Sequence, residues 1–261
     1  MIDIHSHILP GLDDGSDSLE NSLEMLRMAS AAGTTDIVAT PHANSEFAFH
    51  PAEVERKIAE LQHAASDTPR IHYGCDFHLT PENIDDALRF PAKYSINHRG
   101  YLMVEFADTF IPKATADIFG RMLTVGIFPV VTHPERNALL QRRLTDLEAW
   151  VEMGCYLQVT AQSVVGGFGR HAKEFSHTLL SRGLVHFLAS DAHDVKHRTT
   201  VLQPAWDYVE ADFGSETARR LLEENPRSAL EGEPLPEQCA PPRRRKWFFL
   251  GRSEPNRRLA G

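Results

Sequence analysis

The sequence predicts an α/β protein in which seven parallel strands close into a distorted barrel with helices outside. Short apolar runs alternate with segments whose apolar residues recur every three to four positions, which is the pattern of strands alternating with helices. Residues with metal-binding side chains follow nearly every run. The strand-like runs are residues 2–5, 36–40, 71–77, 101–106, 128–132, 156–160 and 186–190.

Helix boundaries support the same alternation. The clearest helical spacing is that of Leu19, Leu23, Leu26 and Ser30. Asp17 or Ser18 is the predicted N-cap of this helix, and Gly33 is predicted to end it. Pro51 and Pro112 stand where further helices are expected to begin. Glycines at positions 126, 154 and 183 follow later helical segments as predicted C-caps.

Size and composition indicate an enzyme-sized soluble domain. The chain has 261 residues, of which 42% are hydrophobic and 24% charged. The formal net charge of −9 argues against nucleic acid as the main ligand, because phosphate backbones favour basic surfaces. The three cysteines form no CxxC pair, which favours a reducing compartment. There is no leader-like start and no apolar run of membrane-spanning length, so we expect a cytoplasmic protein.

The C-terminal residues differ in composition from the rest of the chain. We predict a barrel domain over residues 1–227 and a Pro/Arg-rich tail over residues 228–261. In the tail, residues 243–246 are consecutive cations, and residues 247–250 are apolar and rich in aromatic rings. Such a segment is suited to peripheral contact with an anionic membrane. The alternative is a solvated tail that has no role.

Candidate metal ligands lie at the predicted carboxyl ends of the strands. His5 and His7 are two residues apart on one strand, so their side chains project to the same side. Asp191 and His193 repeat this spacing late in the chain. Imidazole and carboxylate groups together suit zinc, manganese or iron. The candidates at strand ends are His5, His7, His42, Asp76, Glu105, His133, Asp191 and His193.

This distribution of candidate ligands favours a barrel over an open sheet. α/β barrels build their sites from the loops at the carboxyl ends of most strands. A doubly wound open sheet gathers ligands mainly at its switch point. The remaining histidines are predicted to be surface or capping residues: His50, His63, His72, His78, His98, His171, His177, His186 and His197.

Four segments resemble the PHP superfamily of metal-dependent phosphoesterases. They are residues 5–15 (HSHILPGLDDG), 40–42 (TPH), 133–136 (HPER) and 190–193 (SDAH). Within that superfamily they are most similar to the bacterial manganese-dependent protein-tyrosine phosphatases of capsule and exopolysaccharide systems. The resemblance covers about residues 1–227. It implies the PHP fold, a distorted seven-stranded (β/α) TIM-like barrel, with a trinuclear metal site.

The resemblance also implies how the ligands are shared among the ions. The groups are His5, His7 and Asp191 for one ion; Asp76, Glu105 and His133 for a second; and Asp14, His42 and His193 for a third. Asp76 would bridge the first two ions. The family has glutamate in place of Asp76, so either the backbone moves in or one ion is held less tightly. Mn²⁺ is the implied metal, as two or three ions, with Fe or Zn as alternatives.

The implied activity is hydrolysis of phosphotyrosine in a protein. Arg136 and Arg198 are suited to hold the phosphate, because a guanidinium group matches phosphate oxygens in a bidentate fork. The implied partner is a membrane-bound bacterial tyrosine kinase that controls capsule or exopolysaccharide synthesis. Two alternatives stay open. One is another PHP enzyme, a small-molecule phosphatase of the histidinol-phosphate type or a nuclease; the other is a metal-binding module that has lost its activity.

A rival phosphatase chemistry is suggested by the spacing from Cys239 to Arg245, which matches the Cys-x5-Arg loop of cysteine-dependent tyrosine phosphatases. That loop needs consecutive backbone N–H groups to hold phosphate. Pro241 and Pro242 have no backbone N–H. We therefore predict that this spacing is coincidental.

Overall fold

Parallel strands and surrounding helices make up the computed structural model, which describes residues 1–65 and 69–236. The strands are β1 (Ile2–Ser6), β2 (Asp36–Ala39), β3 (His42–Ala43), β4 (Arg70–Tyr73), β5 (Asp76–His78), β6 (Tyr101–Glu105), β7 (Phe128–Thr132), β8 (Tyr156–Thr160) and β9 (Phe187–Ala189). The helices are α1 (Leu19–Ala31), α2 (Pro51–Ala65), α3 (Pro81–Arg89), α4 (Thr115–Thr124), α5 (Leu144–Met153), α6 (Ala161–Val165), α7 (Gly169–Ser181), α8 (Gln203–Phe213), α9 (Ser215–Arg219) and α10 (Asn225–Glu231).

The described strands form two parallel sheets. One has the order β1-β2-β4, and the other has the order β3-β5-β6-β7-β8-β9. The prediction of an α/β fold with parallel strands is confirmed. The strands belong to two sheets, so the single barrel of seven strands stays a prediction. Their outer edges meet at one parallel bridge between Ser6 and Ala192, beside a hydrogen bond of 2.8 Å from the Asp191 N–H to the His5 carbonyl.

Strand pairing is interrupted at two places in the chain, and at both of them the chain passes from one sheet to the other. Residues 40–41 separate β2 from β3, and residues 74–75 separate β4 from β5. Pro41 has no N–H to donate to a neighbouring strand. Gly74 passes so close to β2 that a Cβ there would lie 2.7 Å from Val38 Cγ1, a contact that only glycine avoids. Each interruption lies directly before a candidate metal ligand.

The helix α1 follows the predicted boundaries but buries a face that only partly matches the predicted one. The Ser18 hydroxyl accepts a hydrogen bond of 3.3 Å from the Asn21 N–H and so caps the helix. Of the predicted spacing, Leu26 is buried and Leu23 packs against the core, but Leu19 is 41% exposed. The buried side chains are Ser22, Met25, Leu26 and Ala29, and of these Met25 and Leu26 share a core cluster with Ile37 and Ala39 of β2. A small polar residue, Ser22, lies inside because its hydroxyl donates to Ser16.

Both faces of the larger sheet are covered, as expected of parallel strands. Along β6, Leu102 and Val104 belong to an outer cluster that includes Phe119 of α4. The alternate residues Tyr101 and Met103 belong to an inner cluster that also draws on β1, β7 and β9. Side chains alternate between the two faces of a strand, so one short run supplies both clusters.

The chain stays packed against the sheet beyond residue 227, where the sequence predicts the end of the barrel. Helix α10 spans that position. The Tyr101 hydroxyl donates a hydrogen bond of 2.6 Å to the Glu233 carbonyl, and Leu235 packs against the inner cluster. The division into two domains therefore stays a prediction. The predicted membrane-contact segment and the Cys239 spacing lie outside the described residues. Among residues 1–65 and 69–236, no helix is long and apolar enough to cross a membrane.

His186 is buried at the start of β9, which contradicts its predicted surface or capping position. Its ring Nδ1 accepts a hydrogen bond of 3.2 Å from the Leu157 N–H on β8. Burial, together with the charge of Arg220, lowers the pKa of His186 from 6.5 to about 3. The folded chain therefore keeps this imidazole neutral at a pH at which the unfolded chain protonates it.

We expect this difference to lower the stability of the folded chain as the pH decreases. Below pH 6.5 the unfolded chain gains a proton at His186 that the folded chain does not, so the free energy of unfolding should decrease by about 2 kcal/mol from this group between pH 7 and pH 5. His186→Asn keeps an acceptor but cannot titrate, and urea unfolding should show that it removes this component. The exposed His63→Asn on α2 is the control. Equal pH dependence in the parent and in His186→Asn would contradict the prediction.

Candidate metal centre

The structure brings all nine predicted ligands together at the carboxyl ends of the strands. They are His5 in β1, His7 and Asp14 after β1, His42 in β3, Asp76 in β5, Glu105 at the end of β6, His133 after β7, and Asp191 and His193 after β9. They fall into overlapping groups in which the candidate ligand atoms lie within 4.8 Å of one another. Residues separated by up to 188 positions in the chain thus meet in one cluster, since His5 and His193 both belong to it.

The resemblance assigns His5, His7 and Asp191 to the first ion, and this first group of side chains lies close together. The two Nε2 atoms of His5 and His7 lie 3.3 Å apart, and each is 3.5 Å from Asp191 Oδ1. Asp191 has a φ of +51°, in the left-handed region that residues other than glycine seldom adopt. This backbone conformation directly follows β9 and turns the carboxylate toward the end of β1.

The second group is Asp76, Glu105 and His133. His133 Nε2 lies 3.5 Å from Glu105 Oε1. Asp76 lies between this group and the first, because its Oδ2 is 3.5 Å from His5 Nε2. His133 also has a positive φ, of +32°, so two candidate ligands have unfavourable backbone conformations. Such outliers gather where a site requires a particular side-chain direction.

The resemblance assigns Asp14, His42 and His193 to the third ion, and in the structure His7 also belongs to this third group. Asp14 Oδ1 is 3.3 Å from His42 Nε2 and 3.5 Å from His193 Nε2. The loop that carries Asp14 folds back onto β1, and a Cβ at Gly15 would lie 2.2 Å from the His7 carbonyl oxygen. Glycine is therefore required next to Asp14 for the carboxylate to approach the histidines.

The donor atoms fit a group of divalent cations. Both carboxylate oxygens of Asp76 are buried, and no described residue gives either of them a hydrogen bond. A buried carboxylate without a partner is costly unless a cation completes its surroundings. Asp76 Oδ2 faces ring nitrogens on two sides, 3.5 Å from His5 and 3.3 Å from His42, where a cation would be shared. Nitrogen and carboxylate donors of this kind suit zinc, manganese or iron.

Three of the five histidines are oriented through their Nδ1 atoms, and their Nε2 atoms face the cluster. Nδ1 of His5 donates to Gln158 Oε1 at 3.0 Å, that of His7 to Asp13 Oδ2 at 2.6 Å, and that of His193 to the Asp191 carbonyl at 3.0 Å. A proton held at Nδ1 leaves the Nε2 lone pair for a metal. The assignment of these protons follows from the acceptors.

The charges in the cluster balance one another. Burial opposes ionisation of Asp76 and Asp191, but the neighbouring histidines hold the pKa values of both carboxyl groups well below the usual range. Burial likewise opposes protonation of His42, yet the carboxylates of Asp14 and Asp76, each 3.3 Å from one of its ring nitrogens, raise its pKa to about 11. Burial lowers the pKa of His133 to about 4. The carboxylates are thus charged, and a bound cation would displace protons from the histidines beside them.

The two predicted phosphate-binding arginines lie at the rim of the cluster. Both guanidinium groups donate to Asp191 Oδ2, Arg198 at 2.6 Å and Arg136 at a shorter distance. Arg136 also lies over the ring of Phe168, with its Cζ atom 4.2 Å from the ring centre. The side chains are 23% and 24% exposed, so each reaches solvent.

Sequence reasoning missed three residues of this site. His78 was predicted to be a surface or capping residue, but its Nε2 is 2.5 Å from Glu105 Oε2 and it forms a further group with His42. The signal was the spacing Asp76-Phe77-His78, which repeats the two-residue spacing of His5 and His7. Asp13 and Gln158 were also missed. A glutamine inside the apolar run of β8 was the available sign of a buried polar role.

The fold and site define an α/β protein with a candidate polynuclear metal centre at the carboxyl ends of its strands. Residues 1–231 match the family model described as "Capsular polysaccharide synthesis, CpsB/CapC", and the chain belongs to this family.

Relatives with known names cover almost the whole chain. The chain is 35% identical to the tyrosine-protein phosphatase YwqE of Bacillus subtilis, over 95% of this chain and 99% of that protein. It is 30% identical to the tyrosine-protein phosphatase CpsB of Streptococcus agalactiae, over 88% of this chain and 98% of that protein. A crystal structure from work on YwqE and on CpsB of Streptococcus pneumoniae, described as metal-dependent tyrosine phosphatases, has a TM-score of 0.85 and 34% identity. That match covers 92% of this chain and 98% of the other.

Asp13 offers a test of how the histidines are held in place. Its Oδ2 also accepts a hydrogen bond of 3.1 Å from the His42 N–H, so one carboxylate orients residues in two ligand groups. We expect Asp13→Asn to weaken Mn²⁺ binding by about 10- to 100-fold, the usual cost of losing a partner of a metal ligand. Calorimetric titration with Mn²⁺ would measure it. The exposed Asp17→Asn is the control, and unchanged affinity in Asp13→Asn would exclude an orienting role.

Proposed function

We propose that this protein is a metal-dependent tyrosine phosphatase that removes the phosphoryl group from phosphotyrosine in a protein. The observation that carries the proposal is the buried Asp76 carboxylate, which no described residue hydrogen-bonds and which imidazole nitrogens surround. The membership of the CpsB/CapC family and the tyrosine-phosphatase names of its relatives supply the reaction and the substrate class.

The nine clustered residues are assigned to three ions. The assignment is His5, His7 and Asp191 to the first; Asp76, Glu105 and His133 to the second; and Asp14, His42 and His193 to the third. Asp76 would be shared by the first two. Mn²⁺ is the proposed metal, with Fe or Zn as alternatives, since the donor set suits all three. When bound, such ions lower the pKa of water and offset charge on the phosphoryl oxygens.

The protein's own groups bind and orient the substrate. Arg136 and Arg198 place two guanidinium groups at the rim of the cluster, where they can form bidentate hydrogen bonds with phosphoryl oxygens. Their present acceptor, Asp191 Oδ2, holds both in the direction of the site. Gln158 and Asp13 keep two imidazoles oriented, so the cluster does not have to reorganise when substrate arrives.

The proposed substrate protein is a membrane-bound tyrosine kinase that controls capsule or exopolysaccharide synthesis, dephosphorylated in the cytoplasm. Support comes from the family description, which concerns capsular polysaccharide synthesis. A net charge of −9 on the chain gives no support to a nucleic-acid substrate.

We also infer that the two sheets are parts of one distorted seven-stranded barrel. β2 continues into β3 after two residues, and β4 continues into β5 in the same way, so each pair acts as one strand that changes sheets. The bridge between Ser6 and Ala192 joins the first strand to the last. The inner cluster supports the inference, because Ile4, Met103 and Phe187 from β1, β6 and β9 pack together in it.

A substrate panel tests the proposed function. With added Mn²⁺, we expect hydrolysis of p-nitrophenyl phosphate and of a phosphotyrosine peptide, and much slower hydrolysis of a phosphoserine peptide and of histidinol phosphate. Chelation should abolish the activity and Mn²⁺ should restore it, whereas Cys239→Ser should change little. Preference for histidinol phosphate would favour the small-molecule alternative. No hydrolysis of any substrate with any of the three metals would favour a module without activity.

The bridging role of Asp76 has its own test. Asp76→Glu keeps the charge and has the longer side chain found in the family, so we expect it to keep its metal content and a substantial part of its activity. Asp76→Asn removes the charge that two ions share and should lower turnover by about two orders of magnitude. Metal analysis and phosphotyrosine turnover measure both. Equal activity in Asp76→Asn and the parent would place the bridge elsewhere.

A further inference from the structure

An apolar pocket adjoins the metal centre on the side of β5 and β6. It lies between the loop after β5 and the loop after β6, and its walls include Leu79, Thr80, Ala107, Phe110 and Pro112. The polar edge of the pocket is formed by His78 and Glu105, and Glu105 is also a member of the second ligand group. The pocket therefore lies directly beside the candidate metal ligands.

The loop after β6 presents one aromatic ring to solvent. Phe110 is 62% exposed, whereas Phe106 and Ile111 in the same loop are only 5% and 3% exposed. Those two side chains anchor the loop in the core. The Asn137 amide also donates to the Phe106 and Ala107 carbonyls, at 3.4 and 3.3 Å, and so ties the loop to the segment that carries His133. A large apolar ring on an anchored loop beside a polar site is placed where it can contact a bound ligand.

The metal centre and the apolar pocket beside it match the phosphoryl group and the phenyl ring of phosphotyrosine, in that order. The charged phosphoryl group requires the metal centre and the arginines, and the phenyl ring requires an apolar wall directly next to them. Phe110 and Pro112 supply that wall, and Glu105 stands at the junction. Paired aromatic rings attract each other through offset or edge-to-face contacts in addition to the burial of their surface.

We propose that this pocket binds the tyrosyl ring of the substrate and that Phe110 is a specificity-determining residue, which selects aryl over alkyl phosphates. The inference rests on the proposed phosphatase function. Bound metal ions and the two arginines would contact the phosphoryl group, which phosphotyrosine and phosphoserine share. Discrimination between the two in binding, as distinct from the better phenolate leaving group, requires contacts beyond the phosphorus, and the pocket is placed to provide them.

The test compares Phe110→Ala and Phe110→Trp with the parent protein. Phe110→Ala should raise the KM for a phosphotyrosine peptide by about tenfold, the effect of one lost aromatic contact, and Phe110→Trp should restore it. Phe90→Ala is the matched control, because Phe90 is 59% exposed at the end of α3 and does not line the pocket.

Calorimetry with phosphonates separates ring binding from catalysis. The Mn²⁺-loaded parent should bind phenylphosphonate more tightly than methylphosphonate, and Phe110→Ala should lose that difference while its affinity for methylphosphonate stays unchanged. An equal loss for both probes, or unchanged phenylphosphonate affinity and KM in Phe110→Ala, would overturn the ring pocket. A parent protein that hydrolyses no phosphotyrosine refutes the proposed function instead, and the two failures are therefore distinguishable.

Discussion

The structure depends on the concentration of negative charge at the carboxyl ends of its strands. Asp76 and Asp191 are buried and remain ionised, although burial alone would neutralise a carboxyl group. Histidines and the guanidinium groups of Arg136 and Arg198 offset that charge within the protein. Two buried carboxylates in one cluster repel each other, so the fold is stable only while this positive charge is held close. That requirement makes the cluster a suitable receptor for cations.

Irregular backbone conformations position many of the residues in this cluster. The strands are interrupted directly before His42 and Asp76, so these two residues begin β3 and β5 and pair with each other in the larger sheet. His133 and Asp191 follow their strands in left-handed conformations. Gly15 lets the loop after β1 approach the histidines. Each departure from regular geometry serves a residue of the site, as expected where local strain is offset by the rest of the fold.

Much of the fold and of the candidate site could be predicted from the sequence, because the relevant signals are local. The alternation of apolar runs with helical spacing identifies the strand positions, and the two-residue spacing of His5 and His7 shows that both side chains face one way. Parallel strands place their carboxyl ends at one edge, so the positions of the ligands along the chain already imply a common site. For these features, the spacing of residues along the chain is enough to predict which way their side chains point.

Other features depend on which elements meet in space, and the chain alone does not specify that. The spacing of α1 allows two overlapping apolar stripes, and only packing against β2 and α2 selected the one that contains Met25. His78 and His186 have the same side chain, yet one joins the metal centre and the other is buried neutral between strands. The sequence by itself determined the strand order along the chain and the ligand types. Only the tertiary structure decided the division into two sheets, the pairing of each imidazole with its acceptor, and the pocket around Phe110. The reason is that each of these depends on contacts between residues far apart in the sequence.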